Sequence, residues 1–355
     1  MTTTSIEQTG FSIGGRPIGP DHPPFIVGEL SANHNGSLEH ALAIIDAVAE
    51  AGADAVKLQT YTADTMTLDT DREDFQLREG PWAGRNLYEL YQWAHTPWDW
   101  HEALFERARG RGLLVFSSPF DFTAVDFLEK FDPPAYKIAS FELVDIPLIE
   151  YVASKGRPMI MSTGMADNLE IMEAVAAARR AGCDDLCLLH CTSGYPTPAK
   201  EADLRTLPLL AQRYDVVPGL SDHTLESSVP TAAVALGACV IEKHVTLSRE
   251  DGGPDAAFSL EPGELAKLVH DTRTAWEALG TVRTGPKESE QTQRPLRRSL
   301  YIAEDVKAGE RLTPTNLRSV RPGHGLPPRV YEHLIGRKVT TDISKGTPME
   351  WKWVE

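Results

Sequence analysis

The sequence predicts a parallel (β/α)8 barrel, the TIM barrel, followed by a small β-rich C-terminal domain. Eight short apolar runs alternate with helix-like amphipathic stretches over roughly 250 residues, which is the usual size of such a barrel. The apolar runs are nearly continuous, as in parallel strands that are covered on both faces. An open doubly wound sheet normally carries a glycine fingerprint after its first strand. No GxGxxG follows the first run here.

The eight barrel strands are predicted in order along the chain, at residues 25–31, 55–61, 113–120, 135–140, 158–164, 186–193, 216–224 and 239–247. The segments between them have apolar residues at helical spacing and often close with glycine, as at 38–51, 168–181 and 227–236. The last predicted helix is 262–279. We therefore predict a barrel domain over residues 1–280.

The composition changes after this helix. The segment GPKESEQTQR at 285–294 is polar and contains helix breakers, so we predict a linker over 281–296. Residues 297–355 then carry a weak internal repeat, EDVKAG at 304–309 and TDISKG at 341–346, and each copy has a strand–turn–strand pattern. A β-rich unit of this size has a small core. We expect it to dock on something larger.

Composition excludes several classes of function. The formal net charge of −16 disfavours binding to nucleic acid or anionic lipid, so an anionic substrate requires a local basic pocket. The first residues lack a signal sequence, and no apolar run is long enough to span a bilayer. We therefore expect a cytoplasmic protein without a membrane partner. The four cysteines have neither metal-ligand nor disulfide spacing, and we predict that they are buried small hydrophobic residues.

Polar residues follow every predicted strand at its C-terminal end, where barrels of this kind have their active sites. Lys57 and Lys137 lie within apolar runs, where lysine is rare unless it is paired or binds an anion. The sequence leaves both roles open, with Glu29 or Glu242 as the partner in a salt bridge. Carboxylates in a crowded site can be tuned towards neutral pH, so these two glutamates are the acid–base candidates.

Two histidines end successive strands, each beside an acid. His223 lies in GLSDHT at 219–224, and His244 lies in EKH at 242–244. Imidazoles placed in this way can hold one metal ion, and the alternative is a pair of structural histidines within the strands. Asp222 and Glu242 can orient the rings by hydrogen bonds instead of binding the metal.

Hydroxyl side chains also lie at the strand ends. A lone serine or threonine there more often caps the following helix than binds a ligand. The serines for which both roles are considered are Ser118, Ser140, Ser162, Ser193 and Ser221.

Taken together, these strand ends resemble the sialic acid synthase family, whose members condense phosphoenolpyruvate with an amino sugar. The resemblance covers almost the whole chain, and the C-terminal region resembles the antifreeze-like or SAF domain, a β-clip fold. The motifs that carry it are GE at 28–29, KLQ at 57–59, FSSPF at 116–120, YKIAS at 136–140, STGM at 162–165, CTSGYP at 191–196, GLSDHT, EKH, GPD at 253–255 and RPG at 321–323.

The resemblance implies roles for individual residues. His223 and His244 would bind a divalent ion, Mn²⁺ or Mg²⁺. The residues implied to hold the phosphate and carboxylate of phosphoenolpyruvate are Lys57, Ser118, Lys137, Ser140, Ser162, Ser193 and Ser221. Those implied to face the sugar, together with Glu29, are Gln59, Phe120, Tyr195, Asp255 and Arg321. By resemblance the protein is a head-to-tail, domain-swapped homodimer in which Arg321 enters the partner's barrel. The alternative makes Arg321 a surface cation of little energetic importance.

Two segments look like the pseudaminic acid synthase branch of this family. They are the aromatic-rich GPWAGRNLYELYQWAHTPW at 80–98 and FELVD at 141–145. The implied sugar is a 2,4-diacetamido-2,4,6-trideoxy hexose of the altro series, which is less polar than N-acetylmannosamine. Ala256 supports this choice, because sialic acid synthases commonly carry histidine after the equivalent of Asp255. Each tryptophan at 82, 93, 98 and 100 contacts the sugar or packs on the following helix.

Other functions remain open from the sequence. The same chemistry on another acetamido sugar would make the protein an N-acetylneuraminate or legionaminate synthase. An aldolase-like lyase would use Lys57 or Lys137 as a Schiff base. A non-catalytic protein would bind carbohydrate and dock a partner through its C-terminal domain, which the acids and histidines at the strand ends argue against.

Overall fold

The structure is a computed structural model that describes residues 10–80 and 82–355. The first nine residues of the predicted barrel domain, and Pro81 of the aromatic segment, lie outside the described residues. The chain divides between Gly280 and Thr281 into two compact units. Among the described residues, no helix is both long and apolar enough to cross a membrane.

The first unit opens with a short antiparallel hairpin that the sequence analysis does not predict. It consists of β1 (Phe11–Ile13) and β2 (Arg16–Ile18). Ile13 and Ile18 are buried against residues that begin the barrel strands, such as Phe25 and Val240. The hairpin therefore closes the N-terminal end of the barrel. Its strands are three residues each, too short for a period-two pattern to stand out.

Eight parallel strands close into the predicted barrel. They follow one another around the barrel in sequence order, and the last pairs with the first through the register of Val240 with Phe25. Each strand lies within its predicted range, and all eight end one to three residues before the predicted last residue. The strands are β3 (Phe25–Glu29), β4 (Ala55–Thr60), β5 (Leu114–Pro119), β6 (Tyr136–Ile138), β7 (Met159–Ser162), β8 (Leu186–Cys191), β9 (Val217–Asp222) and β10 (Val240–His244).

Helices cover the outside of the barrel. In α1, Ala41, Ile44, Ile45 and Val48 are buried at the spacing of one helical face, and the Ser37 hydroxyl caps the first turn. The four predicted helices correspond to α1, α7, α9 and α10. The helices of this unit are α1 (Leu38–Glu50), α2 (Ala63–Met66), α3 (Leu87–Ala94), α4 (His101–Gly110), α5 (Phe122–Leu128), α6 (Ile146–Ala153), α7 (Asn168–Arg180), α8 (Thr206–Tyr214), α9 (Ser228–Ala235) and α10 (Pro262–Leu279).

The second unit is small and β-rich. Its regular elements are β11 (Ser299–Ile302), the antiparallel β12 (Leu317–Val320) and α11 (Tyr331–Leu334). Within the predicted linker, Glu288–Leu296 forms an exposed 3-10 helix instead of an irregular segment.

The repeat in this unit has a structural counterpart. Val306 and Ile343, which occupy the same position in the two copies, exchange backbone hydrogen bonds of 2.9 Å in both directions. The glycines that end the copies are also equivalent, because Gly309 N donates to Val339 O and Gly346 N donates to Ile302 O, both at 2.8 Å. The two halves are thus paired about a local two-fold axis.

Candidate active site

A cavity of about 240 Å³ lies at the C-terminal ends of the barrel strands. Side chains alternate between the barrel interior and the helix layer along each strand, so polar residues from different strands meet inside. Most of the predicted site residues line this cavity. They are Glu29, Lys57, Gln59, Phe120, Lys137, Ser140, Ser162, Tyr195, Ser221, His223, Glu242, His244 and Asp255.

Two lysines and two glutamates from four strands form a buried cluster in the cavity. Lys57 Nζ lies 2.7 Å from Glu29 Oε2 and 3.7 Å from Glu242 Oε1, and Lys137 Nζ lies 3.4 Å from the same Glu242 oxygen. All four side chains are almost fully buried. The structure therefore contains the salt bridges that the sequence offered as one alternative. Both ammonium groups also face the cavity, where a ligand can reach them.

The two glutamates of the cluster have different electrostatic surroundings. Burial raises the pKa of Glu29, the Lys57 ammonium opposes the rise, and the Glu242 carboxylate adds to it. Burial also acts to raise the pKa of Glu242, but Lys137 and Lys57 outweigh it, and the net shift is downward. Glu29 therefore takes up a proton more readily, and Glu242 stays ionised. With Glu29 protonated, the cluster has one net positive charge and favours an anion.

Gln59 and Asp255 extend the cluster towards one side of the cavity. Gln59 Nε2 donates to Glu29 Oε1 at 2.8 Å and to Ser31 Oγ at 3.0 Å, and Ser31 Oγ donates to Asp255. Burial raises the pKa of Asp255, and its hydrogen bond with Ser31 limits the rise. The arrangement holds amide, hydroxyl and carboxyl groups in a row, which suits a polyhydroxylated ligand.

The strand-end serines do not cap the helices that follow strands β5, β6 and β7. Asp121, Asp145 and Asp167 supply the side-chain caps of α5, α6 and α7 instead. Ser118, Ser140 and Ser162 are therefore free of the structural role that the sequence left open. The Ser162 hydroxyl is buried, and among the described residues it has no hydrogen-bond partner.

Gly164 lets two of these serines come together. Its N–H donates to Ser140 Oγ at 3.1 Å. A Cβ atom at this position would lie 2.3 Å from Ser193 Oγ and 2.7 Å from Ser140 Oγ, so any larger residue would push the hydroxyls apart. Ser221 Oγ donates to Glu242 at 3.1 Å, and Ser118 Oγ accepts from Lys57 at 3.3 Å. One hydroxyl thus contacts Lys57 directly, and another contacts Glu242, the carboxylate that both lysines share.

His223 and His244 lie next to each other in the cavity lining, with ring centroids 5.3 Å apart and ring planes tilted by 50°. His223 Nδ1 lies 3.1 Å from the Thr192 carbonyl, and this contact fixes its ring. His244 Nδ1 is buried, and within the described chain it has no hydrogen-bond partner. Burial first, and then His223 and the nearby lysines, hold the pKa of His244 well below its usual range. This imidazole is therefore neutral, as a metal ligand must be.

The two imidazoles fit one divalent ion, because an unpartnered nitrogen of His244 lies close to a second ring whose position the Thr192 carbonyl fixes. Burial acts to lower the pKa of His223, but a hydrogen bond with Cys191 and the charge of Cys191 raise it overall, so a metal ion would displace a proton from this ring. In residues 10–80 and 82–355, no group of three or more histidine, cysteine or acidic side chains is arranged to hold a metal ion. Water or substrate would complete the coordination. Mg²⁺ prefers oxygen ligands, whereas Mn²⁺ is a transition ion that also accepts imidazole, so the donors fit Mn²⁺ better.

Asp222 does not orient a histidine ring, contrary to one expectation from the sequence. Its Oδ2 accepts from Lys243 Nζ at 2.5 Å and from Thr224 Oγ1 at 2.8 Å, and its Oδ1 accepts from Thr224 N. Lys243 is fully buried and also donates to the Thr224 carbonyl. Lys243, which lies in the chain between the cavity residues Glu242 and His244, therefore forms a structural ion pair with Asp222 of the GLSDHT motif. Nothing in the spacing distinguishes this lysine from Lys57 or Lys137.

The four tryptophans of the aromatic region have different environments. Trp82 lines the cavity and packs on Tyr195 with ring centroids 5.7 Å apart. Trp93 is 41% exposed beneath the Arg85 guanidinium. Trp98 stacks on Phe127, and Trp100 packs edge-on against His34. The packing alternative holds for the last two, and Trp82 alone of the four lines the cavity.

Sequence reasoning missed four titratable residues that line the cavity, namely Tyr61, Tyr91, Glu142 and Cys191. Glu142 lies in the 3-10 turn after β6, and burial raises its pKa to about 7. Burial acts to raise the pKa of Cys191, but a hydrogen bond with His223 and the charge of that ring lower it overall. Glu142 and Cys191 lie inside segments singled out above, FELVD and CTSGYP. Residue type did not separate them from their neighbours.

Three predicted site residues do not line the cavity. Ser118 contacts Lys57, as above, and Ser193 Oγ lies 3.8 Å from Cys191 Sγ, so both serines lie directly behind lining residues. Arg321 follows β12 in the second unit. Its proposed role in a partner's site stays a prediction.

The chain matches known proteins over most of its length. The NeuB family model matches residues 44–284, and the SAF domain model matches residues 297–355. Pseudaminic acid synthase of Campylobacter jejuni is 44% identical over 93% of this chain and 96% of its own length. N,N'-diacetyllegionaminic acid synthase of Legionella pneumophila is 36% identical over 96% and 98%.

A solved structure agrees with these matches. N-acetylneuraminic acid synthetase of Leptospira borgpetersenii, in complex with citrate, superimposes with a TM-score of 0.72 at 33% identity, over 80% of this chain and 95% of that one. The NeuB match and the SAF domain thus occur together in this chain, which is an enzyme that belongs to the NeuB family and carries a C-terminal SAF domain.

Proposed function

We propose that the enzyme condenses phosphoenolpyruvate with a 2,4-diacetamido-2,4,6-trideoxy hexose of the altro series, giving a nine-carbon nonulosonic acid and phosphate. This is the activity of a pseudaminic acid synthase. The observation that carries the proposal is the buried lysine–glutamate cluster in the same cavity as two neighbouring histidines, in a chain 44% identical to the Campylobacter jejuni enzyme.

Phosphoenolpyruvate fits the basic part of the cavity. Its phosphate and carboxylate need cations and hydroxyl donors in a site that excludes water. Lys57 and Lys137 supply two ammonium groups, and the serines around Gly164 supply hydroxyls. A bound dianion would compete with Glu242 for both lysines, which are already desolvated and held in place. This arrangement supports binding, although the overall charge of the chain is strongly negative.

The reaction joins C3 of phosphoenolpyruvate to the aldehyde carbon of the open-chain sugar. The aldehyde oxygen gains a proton, water adds at C2 of phosphoenolpyruvate, and loss of phosphate leaves the α-keto acid. His223 and His244 would hold a divalent ion, and this cation would polarise the aldehyde carbonyl and make it a better electrophile. Glu29 is the proton donor that its raised pKa supports. Ionised Glu242 is the group that can accept a proton from the water.

The choice of sugar rests on two features of the sequence, the aromatic segment at 80–98 and Ala256. Gln59, Tyr195 and Asp255 line the cavity, and Tyr195 packs on His223 with ring centroids 4.6 Å apart. The sugar's polar groups would lie against these three side chains. The relative in Legionella pneumophila makes legionaminic acid synthesis the second candidate, with N-acetylneuraminate synthesis behind it. The three activities share one chemistry and differ in the acetamido sugar.

The test is incubation with phosphoenolpyruvate, MnCl₂ and a panel of acetamido hexoses, with products identified by mass. We expect the diacetamido-trideoxy hexose of the altro series to have the highest kcat/KM. A kcat/KM for N-acetylmannosamine that equals or exceeds it would move the protein to N-acetylneuraminate synthesis. Borohydride trapping of a lysine adduct would support the Schiff-base lyase instead. No phosphate release with any sugar would favour a non-catalytic carbohydrate-binding protein.

The metal is tested separately. We expect chelation to abolish activity and MnCl₂ to restore it, because the two imidazoles are the proposed ligands. The double variant His223→Ala, His244→Ala should have no activity that MnCl₂ increases. Full activity of this variant in chelator would show that the reaction needs no metal at this site. Because phosphoenolpyruvate is a cytoplasmic metabolite, we also propose the cytoplasm as the place of action.

A further inference from the structure

Part of the cavity lining is apolar and comes from outside the barrel strands. Met66 of α2, Trp82, and Leu90 and Ala94 of α3 belong to this part, and we call these four residues the apolar wall. Tyr91 of α3 also lines the cavity, and its ring packs edge-on against Tyr61. The two short helices are held by their own capping boxes, at Thr62 and at Asn86. Three of the four wall residues thus belong to helices whose first turns are capped.

The apolar wall has little to offer a polar ligand. Its four side chains carry no charge, and their one strong hydrogen-bond donor, Trp82 Nε1, donates to the Pro254 carbonyl at 2.9 Å. Leu90 is buried, and Met66 is half-buried. A hydroxyl group placed against this surface would lose water without gaining a partner from these side chains.

The position of the wall relates it to one end of the sugar. Tyr195 lies between Trp82 and His223, with ring centroids 5.7 Å and 4.6 Å from these two neighbours. The aldehyde carbon must lie near the histidines and the lysines for the new bond to form. C6 is at the opposite end of an open-chain hexose from the aldehyde carbon, so a sugar that extends from His223 past Tyr195 brings C6 towards Trp82 of the wall.

We propose that the apolar wall binds the C6 methyl group of a 6-deoxy sugar and makes the enzyme select against a hydroxyl group at C6. This inference rests on the proposed function and adds the residues that set one part of its specificity. An apolar pocket rejects an added hydroxyl by only about 100-fold, so we expect a preference of roughly 10- to 100-fold in kcat/KM.

The test compares two sugars that differ only at C6, the diacetamido-trideoxy hexose and its 6-hydroxy counterpart. The wild-type enzyme should prefer the 6-deoxy sugar. Met66→Gln keeps the side-chain length and adds hydrogen-bonding groups, so it should shift the ratio of the two kcat/KM values towards the 6-hydroxy sugar by about tenfold. Trp93→Ala is the matched control, because Trp93 belongs to α3 but is exposed. It should leave the ratio unchanged.

Two outcomes separate this inference from the proposed function. Turnover of both sugars with equal wild-type kcat/KM values would overturn the role of the wall and leave the condensation reaction intact. This readout does not depend on whether any variant folds. Turnover of neither sugar would contradict the proposed function, and the inference would fall with it. A ratio that Met66→Gln and Trp93→Ala leave equally unchanged would also overturn the assignment to the wall.

Discussion

Two glutamates of the same cluster have different surroundings, and this difference governs their chemistry. Glu29 has one lysine within ion-pair distance, whereas Glu242 has two. A carboxyl group that is buried with less compensation keeps its proton more easily. Environments that push the pKa values of two neighbouring acids apart are typical of acid–base pairs. These surroundings therefore support Glu29 as the acid and Glu242 as the base, a division of roles that the sequence leaves open.

The first prediction concerns Glu29→Gln. The amide keeps the shape of the side chain but cannot donate the proton, so we expect kcat to fall by about 10²- to 10⁴-fold. In the wild-type enzyme, activity should decrease as the pH rises through the raised pKa of Glu29, and the variant should lose this dependence. Steady-state kinetics across pH measures both effects. Glu173→Gln, on the exposed face of α7, is the control, and an equal loss there would contradict the role.

The second prediction concerns the buried pair of Lys243 and Asp222. Removing one partner leaves the other charge buried and uncompensated, so Lys243→Met should lower the free energy of unfolding by roughly 3–5 kcal/mol. The double variant Lys243→Met, Asp222→Asn should recover part of this loss. Equilibrium denaturation of the barrel unit measures both. A loss in the double variant equal to the sum of the single losses would mean that the two residues are not coupled.

At the scale of elements, the start of α4 holds a buried histidine against the barrel. His101 Nε2 lies 2.8 Å from Thr60 Oγ1 of β4, and its Nδ1 lies 3.3 Å from the Pro97 carbonyl. The ring also packs edge-on against Phe127. Burial lowers the pKa of His101 to about 4. The helix therefore docks through a neutral imidazole.

The third prediction follows from this docking. An unfolded histidine takes up a proton near pH 6.5, but folded His101 does so only near pH 4. The unfolded chain thus binds more protons in this interval, and stability should fall as the pH decreases from 6.5 to 4, by roughly 3 kcal/mol from this residue. His101→Gln should show a smaller fall over the same interval. Urea denaturation at several pH values compares the two, and identical pH dependence would contradict the assignment.

At the scale of the whole molecule, the chain has a barrel unit that contains the candidate site and a second unit that contains Arg321. The resemblance implies that this arginine completes the site of a partner in a swapped homodimer. The predicted linker gives the chain a polar connection between the two units. If each active site takes residues from both subunits, two different inactive variants can form a mixed dimer that is active. A site built from one chain cannot recover activity in this way.

The fourth prediction is this restoration. Glu29→Ala protein mixed with Arg321→Ala protein, under conditions that permit subunit exchange, should regain part of the activity. Each mixed dimer then has one site in which both residues are intact. Activity assays before and after exchange measure the gain, and labelled subunits show whether exchange occurs. Activity that stays at the level of the parents after demonstrated exchange would mean that Arg321 acts within its own chain or not at all.

The sequence by itself determined the fold class and most of the residues around the cavity. Continuous apolar runs identify covered parallel strands, and the ends of such strands converge in a barrel, so Lys57, Lys137, His223 and His244 could be assigned to one site before their distances were known. A local pattern is enough to predict this convergence, because the same strand–helix unit occurs eight times and all eight strands run in one direction. The hairpin of β1 and β2 was missed because its burial depends on residues far along the chain.

Only the tertiary structure decided what each polar residue does. Asp222 pairs with Lys243 rather than with a histidine, and aspartates rather than strand-end serines cap α5, α6 and α7. Glu142 and Trp82 entered the cavity from segments whose composition did not separate them from their neighbours. The physical reason is that a side chain's pKa and its hydrogen bonds depend on which groups lie within a few ångströms. Those neighbours come from distant strands and loops, and no local spacing specifies them.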